Sequence, residues 1–401
     1  MSGNHMTVSP LRPLRVLHVL EATLGGTLRY MENIAEATDG LDIVSAFAYG
    51  TARADSHLAP FLKRISNLGW TCYPVDMRRE VRPWTDLKAW FQLRCAVDHF
   101  APDIIHCHSS KAGALGRASV FLRREHPARV YSPHALAAPL GSIYLKIEKL
   151  LSRSTERFVA VSDTERKEIL DCSLAAEDSV SVVYPSVDVR YFHPSSRQNA
   201  RQALGIGSSP LILAIGRLTA QKDPVAFLRV MEHLHARQPD VRAIWVGSGE
   251  GEGEAEFFSK IAAAQMQDVV RVVPWQHDVR LYIAAADVLL STSRFESFGY
   301  VAAEALAMER PVVASDVTGT RDIMQRRFGE WLYPLERTTL AAELILKLLN
   351  DPALSVATGG LGRSQVEKLF SIERMRESLM QAYGAVLNQP ISELTNQAAV
   401  A

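Results

Sequence analysis

Short apolar runs alternate with helix-patterned segments along almost the whole chain, and this alternation limits the fold more than any other feature. "RVLHVL" (15–20), "DIVSAFAYG" (42–50), "DIIHCH" (103–108), "RVYSPHA" (129–135) and "RFVAVS" (157–162) read as strands. "LRYMENIAEAT" (28–38), apolar at 28, 31 and 34/35, reads as a helix between the first two. Strands this apolar, separated by helices, are expected in a parallel sheet covered on both faces.

The texture changes near 184–200. "YPSVDVRYFHPSSRQ" holds two prolines and polar residues without a clear period, and reads as an interdomain linker. The alternation then restarts with "PLILAIG" (210–216), "RAIWVGSG" (242–249), "VVRVVP" (269–274), "ADVLLSTS" (286–293) and "RPVVAS" (310–315). A length of 401 residues suits two domains. The expectation is an α/β chain of two doubly wound, Rossmann-like domains facing each other across a cleft. The first spans 1–190 and the second 200–371. An amphipathic helix, "IERMRESLMQAYGAVL" (372–387), closes the chain, with a frayed tail beyond "NQP". Ligands of open parallel sheets bind at the carboxyl ends of the strands. The chemistry is therefore expected after "RVLHVL", "DIIHCH", "VYSP", "LAIG", "WVGSG" and "LLSTS".

Formal net charge is zero, which argues against a dedicated nucleic-acid binder. From Arg53 to Arg157, however, 17 Lys and Arg stand against 9 Asp and Glu. Such a surplus suits phosphates or an anionic lipid surface, or is simply a scattered solvated surface. Four cysteines form no C-x-x-C pair, as expected of reduced thiols in the cytoplasm. "MSGNHMTVSPLRPLR" has no apolar core of a signal peptide, and no run approaches the roughly 18 apolar residues of a membrane span. Membrane work would then be peripheral.

In "FESFGYVAAEALA" (295–307), Glu296 and Glu304 are the only charges in small and apolar surroundings. A buried carboxylate is costly unless hydrogen-bonded or paired. A ribose diol supplies two donors, and free backbone N–H groups around Phe298 and Gly299 suit a phosphate. The plainer alternative is a helix-start glutamate plus one paired inside the fold. "GRLTAQKD" (216–223) follows a strand: Gly216 turns the backbone, and an Arg217 fork with a Lys222 point charge suits a diphosphate. No D-x-D pair offers metal ligands, so these cations can replace a metal. Solvation alone also explains two loop cations. "LGG" (24–26) allows close backbone approach at a helix start through Gly25 and Gly26, or forms an ordinary strand–helix turn. His134, after a strand and behind a proline, can donate to a substrate oxygen. In "HCHSSKAG" (106–113), His106 and His108 share one strand face but show no third metal ligand. His108 reads as an acceptor-side contact, and Lys111 as a candidate for an acceptor phosphate.

This ordered set resembles the retaining GT-B glycosyltransferases of family four. "RFESFGYVAAEALAMERPVVASDVTG" is similar to that family's E-x7-E region, "AIGRLTAQKDP" to its phosphate-binding segment, "ATLGG" to its glycine loop and "YSPHA" to its strand-end histidine. The chain departs from the family at Glu309-Arg310, where Cys-Gly is common, and at Asp322, where a Gly-Gly-x-x-Glu usually ends.

The resemblance implies an acceptor-binding first domain, a nucleotide-sugar-binding second domain, and a last segment, 372–390, crossing back to the first. It implies that Arg217 and Lys222 bind the diphosphate, with Gly216, Phe298 and Gly299 beside it. Glu304 would hold the ribose, Glu296 the donor sugar with His134 opposite, and Gly25 and Gly26 would lie under the sugar–phosphate linkage. The implied substrate is a nucleotide diphosphate sugar (UDP-sugar, or GDP-mannose), with no cofactor and no metal. The implied acceptor is a saccharide, polyprenyl-linked, in exopolysaccharide, capsule or lipopolysaccharide assembly. The expected location is the cytoplasm, peripheral on the inner face of the membrane through the first domain. Two alternatives stay open: a UDP-sugar 2-epimerase of the same architecture, and a non-catalytic nucleotide-sugar sensor or assembly scaffold.

Overall fold

Every strand pairing among the described residues is parallel, so each link between neighbouring strands is a crossover and the strand ends collect on one edge of each sheet. The computed structural model describes residues 12–121, 126–136, 142–249 and 252–387. The opening segment, the end of "YSPHALAAP" and the tail beyond "NQP" fall outside them.

The strands are β1 (Leu14–Leu20), β2 (Ile43–Gly50), β3 (Thr71–Val75), β4 (Ile104–His108), β5 (Ala128–Ser132), β6 (Arg157–Ala160), β7 (Val180–Val182), β8 (Leu211–Ile215), β9 (Arg242–Val246), β10 (Val270–Val273), β11 (Val288–Ser291), β12 (Val312–Ser315) and β13 (Leu332–Tyr333). The helices are α1 (Gly25–Thr38), α2 (Leu58–Asn67), α3 (Pro83–Phe100), α4 (Ser110–Ser119), α5 (Ser142–Ser152), α6 (Asp163–Asp171), α7 (Arg197–Ala203), α8 (Pro224–Arg237), α9 (Glu252–Ala263), α10 (Arg280–Ala285), α11 (Tyr300–Ala307), α12 (Thr318–Phe328), α13 (Thr338–Asn350), α14 (Pro352–Leu369) and α15 (Ile372–Leu387).

Backbone contacts divide the chain into two units. The first runs to Val161, takes up Glu165–Val183 and resumes at Met375; the second holds Ser162–Thr164 and Tyr184–Arg374. The first sheet has the order β3-β2-β1-β4-β5-β6-β7, and the second β10-β9-β8-β11-β12-β13. Both are doubly wound, and the order reverses between β1 and β4 in one and between β8 and β11 in the other. Proline-bearing "YPSVDVRYFHPSSRQ" belongs to the second unit from Tyr184 onward. There Val187 donates its N–H to the Phe370 carbonyl at 2.8 Å.

The period of two along a strand gives the first sheet two unlike faces. Leu17, Val19, Ile105 and Cys107 join one apolar core with Leu93 and Ala112 of α3 and α4. A Cβ on Gly116 would lie 2.5 Å from the Cys107 sulfur, so α4 packs directly on β4. The alternate residues His18, His106 and His108 are buried too, but on the opposite face. Tyr383 of α15 reaches His106 there, and the Arg376 guanidinium of α15 donates to the Ala37 carbonyl of α1 at 2.8 Å.

Helices α3, α4 and α5 lie side by side. Beneath them the buried Arg117 guanidinium pairs with Glu148 at 2.7 Å and stacks 3.9 Å over Tyr131. Their outer surface is less well covered. Trp84, Leu87 and Phe91 form an exposed i, i+3, i+7 stripe on α3, and Tyr144, Ile147 and Leu150 are exposed on α5. Among the described residues, no helix is long and apolar enough to cross a membrane.

Candidate functional site

In the second unit, the loops after β8 and β11 are tied into one structure at the point of strand-order reversal. Gly216 ends β8 with φ 156°, and a Cβ there would crowd the Lys222 stem, 3.0–3.1 Å away. The Lys222 chain therefore folds back over the glycine. Its ammonium forms an ion pair with Glu296 in the loop after β11. Ser293 donates its hydroxyl to the same carboxylate oxygen at 2.7 Å. The other oxygen, Oε2, takes no hydrogen bond among the described residues.

The backbone reinforces this junction. Thr292 donates its hydroxyl to the Lys222 carbonyl at 2.8 Å, and Arg294 gives its backbone N–H to the Gln221 carbonyl at 2.8 Å. Asp223, in the left-handed region at φ 48°, caps α8 through the Ala226 N–H and pairs with Arg294 at 2.7 Å. Arg217 stands exposed beside these residues, and its side chain makes no ion pair among the described residues. Two cations thus flank the loop: Lys222 is anchored and 22% exposed, while Arg217 is unanchored.

The loop after β11 runs into α11, whose start at Gly299 (φ 95°) carries no side-chain cap. The Ala302 and Ala303 N–H groups turn inward to the Gly299 carbonyl, at 3.0 and 3.3 Å. The Phe298 side chain is buried against Tyr184, Tyr300 and Phe370. Only its backbone can meet a ligand. Glu304 is buried on the second turn of α11, closer to the helix start than the two turns expected. Gly319 of α12 packs onto the Phe298 backbone and donates its N–H to the Glu296 carbonyl at 3.0 Å. Asp322, farther along α12, accepts the Thr164 N–H at 3.1 Å.

In the first unit, β1 and β4 flank the other order reversal. Gly25 begins α1 with φ 56°, and both Gly25 and Gly26 are exposed. The Gly25 N–H already donates to Asp55 at 3.0 Å. Glu21, directly after β1, is buried and paired with Arg53 at 3.1 Å. Burial pushes its carboxyl above the usual range, against the pull of Arg53. Sequence reading gave it no role, although a carboxylate at the end of an apolar strand was a visible signal.

His134 is not the isolated loop histidine that its sequence suggests. The parallel register sets His18 opposite His106, and His108 lies two residues farther along the same strand face. His18 Nδ1 is 3.3 Å from His108 Nε2, and His108 Nδ1 is 3.1 Å from His134 Nε2. The Tyr30 ring of α1 meets His134 edge-on at 4.7 Å. His106 belongs to a second chain, bonded to the Tyr383 hydroxyl and to Ser132, each at 2.9 Å. Burial lowers all four imidazoles: His18 and His134 to about 3, His106 and His108 well below the ordinary range. They are neutral near pH 7.

His134 (φ 56°) and Ala135 (φ 110°) are both left-handed, a costly conformation for residues with a Cβ. Glu165 holds this turn by accepting the Ala135 N–H and the Val161 N–H, each at 2.8 Å. His18, Tyr30, Ser132, Glu165 and Tyr383 were all missed by sequence reading.

Two expectations change in detail. His108 is fully enclosed, with both ring nitrogens engaged by other histidines, so an acceptor could reach it only by displacing one of them. Lys111 is held by Asp86 at 2.6 Å and by the Glu80 carbonyl at 3.1 Å. A phosphate would have to displace Asp86. The third nitrogen donor that a His106–His108 metal site lacked does exist: His18, His106 and His108 each bring a ring nitrogen within 4.8 Å of the others. These nitrogens are mostly committed to hydrogen bonds with each other, Tyr383 and Ser132.

Comparisons with known proteins follow this layout. Residues 24–191 match the family model described as Glycosyltransferase Family 4, and residues 196–364 the model described as Glycosyl transferases group 1. The D-inositol 3-phosphate glycosyltransferase of Actinosynnema mirum is 30% identical over 305 residues, 70% of this chain and 72% of that protein. The capsular polysaccharide biosynthesis glycosyltransferase CapM of Staphylococcus aureus is 25% identical over 328 residues, 79% of this chain and 85% of its own. The structure of Anabaena Alr3699/HepE in complex with UDP-glucose superposes with a TM-score of 0.78 at 19% identity, covering 93% of this chain and all of that one (100%). That likeness speaks to the fold.

The close approach of α12 to the loop gives a test of its rigidity. A methyl at Gly319 would lie 2.6–2.7 Å from Phe298 backbone atoms. Gly319→Ala is expected to displace residues 296–299 and destabilise the protein by about 1–3 kcal/mol, the usual cost of overpacking. Urea unfolding measures this; unchanged stability would mean that the loop yields freely.

Proposed function

This chain belongs to the glycosyl transferases of group 1, family 4, with the GT-B fold, and moves a sugar from a nucleotide sugar; we propose that its donor is a UDP-sugar, transferred with retention and without a metal. The observation that carries this reading is the pair of knitted loops at the order reversal of the second sheet. There Lys222, on the loop that also carries the exposed Arg217, is anchored to Glu296 in the loop leading into α11, whose start has no side-chain cap and whose second turn buries Glu304. A diphosphate needs two cations and backbone donors, and a ribose needs a carboxylate.

Glu296 has two tasks in this reading. Its Oε1 fixes Lys222, and its Oε2 is left for a hydroxyl of the donor sugar. His134, and the glycines Gly25 and Gly26, are assigned to the sugar and its linkage. No side chain is assigned as nucleophile. The departing diphosphate takes the proton of the incoming hydroxyl on the same face of the sugar. The protein then contributes positioning and charge stabilisation on the leaving group. UDP is favoured over GDP because the Anabaena protein of the same fold was solved with UDP-glucose.

Thermal stability with UDP, GDP and ADP, each with and without EDTA, tests the donor site. A nucleotide at about 100 times its Kd adds roughly 2.7 kcal/mol. The expected result is a shift with UDP, insensitive to EDTA and lost in Glu304→Ala. A shift with GDP alone would replace the donor class, and no shift with any nucleotide would remove the site. Isomerised nucleotide sugar formed without acceptor would identify the epimerase instead.

Arg217→Ala and Lys222→Ala should each cost on the order of 10²–10³ in kcat, the loss seen when one preorganised charge-stabilising donor is removed. Normal turnover by both variants would exclude them from the leaving-group site.

For the acceptor, the reading is a saccharide on a polyprenyl carrier at the inner face of the cytoplasmic membrane, in exopolysaccharide, capsule or lipopolysaccharide assembly. Its support is the relative named for capsular polysaccharide biosynthesis and the outer surface of α3–α5. Trp84, 84% exposed, stands with Leu87 and Phe91 over an apolar groove of about 680 Å³ that also includes Tyr73. Exposed Lys88, Lys146, Lys149 and Arg153 stand among the apolar side chains. An apolar face ringed by cations suits the headgroup region of an anionic bilayer. Wild type should sediment with phosphatidylglycerol vesicles and less with phosphatidylcholine. The Trp84→Ser, Phe91→Ser double variant should lose most of that binding without losing its nucleotide-induced thermal shift. Wild type that ignores both vesicles would leave this face to another partner.

A further inference from the structure

We propose that His18 and His108 are positioning residues that fix the proton of His134 on Nδ1, so that this histidine presents an N–H donor to an oxygen of the donor sugar. The proposal rests on the reading above, in which His134 meets that sugar.

The three rings form one directed chain. A neutral imidazole has one N–H and one bare nitrogen, and burial keeps all three rings neutral. The contacts join His18 Nδ1 to His108 Nε2, and His108 Nδ1 to His134 Nε2. Only two proton arrangements satisfy both. In one, every ring carries its proton on Nδ1: His18 donates to His108, His108 donates to His134, and His134 is left with an Nδ1–H. In the other, every proton sits on Nε2 and each donation runs the opposite way.

The far end of the chain decides between them. His18 Nε2 is buried and has no hydrogen-bond partner among the described residues, and its ring stacks on Trp70 at 5.3 Å with a 10° tilt. The Nε2 arrangement would bury an N–H there with nothing to accept it. The Nδ1 arrangement leaves only a bare lone pair. Buried N–H groups without an acceptor are rare in folded proteins, and under-satisfied acceptors somewhat less so, which favours the Nδ1 arrangement. The energetic defect at His18 thus sets the direction of the whole chain. Tyr30 packing edge-on against His134, and the Glu165 clasp on the strained turn, hold the ring where the chain ends.

His108 is the link that can be tested. Asn carries its amide nitrogen as many bonds from Cα as the Nδ1 of His, so His108→Asn keeps a donor toward His134. His108→Phe keeps a ring and removes the donor. Nitrogen-15 NMR of histidine-labelled, ligand-free protein distinguishes protonated from bare ring nitrogens. Wild type and His108→Asn should show His134 with Nδ1 protonated; His108→Phe should show a mixed or reversed tautomer. With donor and acceptor, His108→Phe should lower kcat by roughly 10- to 100-fold, less than outright loss of a preorganised donor, with donor KM little changed. His108→Asn should recover most of the rate.

An Nε2-protonated His134 in wild type, or an unchanged tautomer in His108→Phe, would overturn the proposal. So would zinc retained by the purified protein at one per chain and lost in His18→Ala, since the nitrogens would then serve a metal. If His108→Phe shifts the tautomer but leaves kcat intact, the chain exists but His134 does not serve the reaction. That result counts against the assigned role of His134 and leaves the donor site of the second unit standing. Should His108→Phe fail to fold, His18→Phe makes the same spectroscopic comparison one ring farther away.

Discussion

The reversal of strand order is the constraint on which the rest depends. Where a parallel sheet is wound outward in both directions from its middle, the crossovers on either side of the reversal leave in opposite directions, and the two central strand ends are uncovered. Lys222 follows β8 and Glu296 follows β11, the two strands flanking the reversal in the second sheet. His18 lies on β1 and His108 on β4, the two flanking it in the first. The candidate residues therefore fall into two groups, one at the reversal of each sheet. At each reversal, side chains from distant parts of the chain meet; in the first sheet Tyr383 of α15 and Tyr30 of α1 close over them.

Close packing then turns proximity into fixed geometry. Gly216 has no Cβ, so Lys222 can fold across it, and Gly319 has none, so α12 can press on the Phe298 backbone. Phe298 itself is spent on the core. The loop carrying Glu296 is thus held from below by an aromatic anchor, from one side by α12 and from the other by the Lys222 ion pair. A preorganised site needs that kind of support, because a charge that must move into place at each turnover stabilises little.

Much of this was legible in the sequence. The apolar runs marked the longer strands because a strand buried on both faces has to be continuously apolar. Three strands escaped for physical reasons: β3 is an edge strand with Pro74 in it, and β7 and β13 have only three and two residues. The E-x7-E pattern and the "GRLTAQKD" segment drew attention to the two loops that the structure ties together, because glycine and charge are hard to explain at the end of a buried strand. What stayed hidden was pairing. Lys222 and Glu296 are 74 residues apart, and His18 and His108 are 90 apart. His18 looked like a single polar interruption in "RVLHVL". Only the register that sets it opposite His106 gives it a role, and register is a property of the sheet rather than of either segment.

The two reversals use different chemistry, and the proposed reaction gives a reason. The leaving group is an anion whose charge grows as the bond breaks, so fixed cations near it act most strongly when they are needed. The reacting sugar carries the opposite tendency, becoming electron-poor. A cation there would oppose the reaction, and a carboxylate buried in that place would carry a heavy desolvation cost. A neutral ring with its proton fixed on one nitrogen supplies direction without charge. The depressed basicity of His18, His106, His108 and His134 is then part of the arrangement: burial that keeps them neutral also keeps their hydrogen bonds one-way.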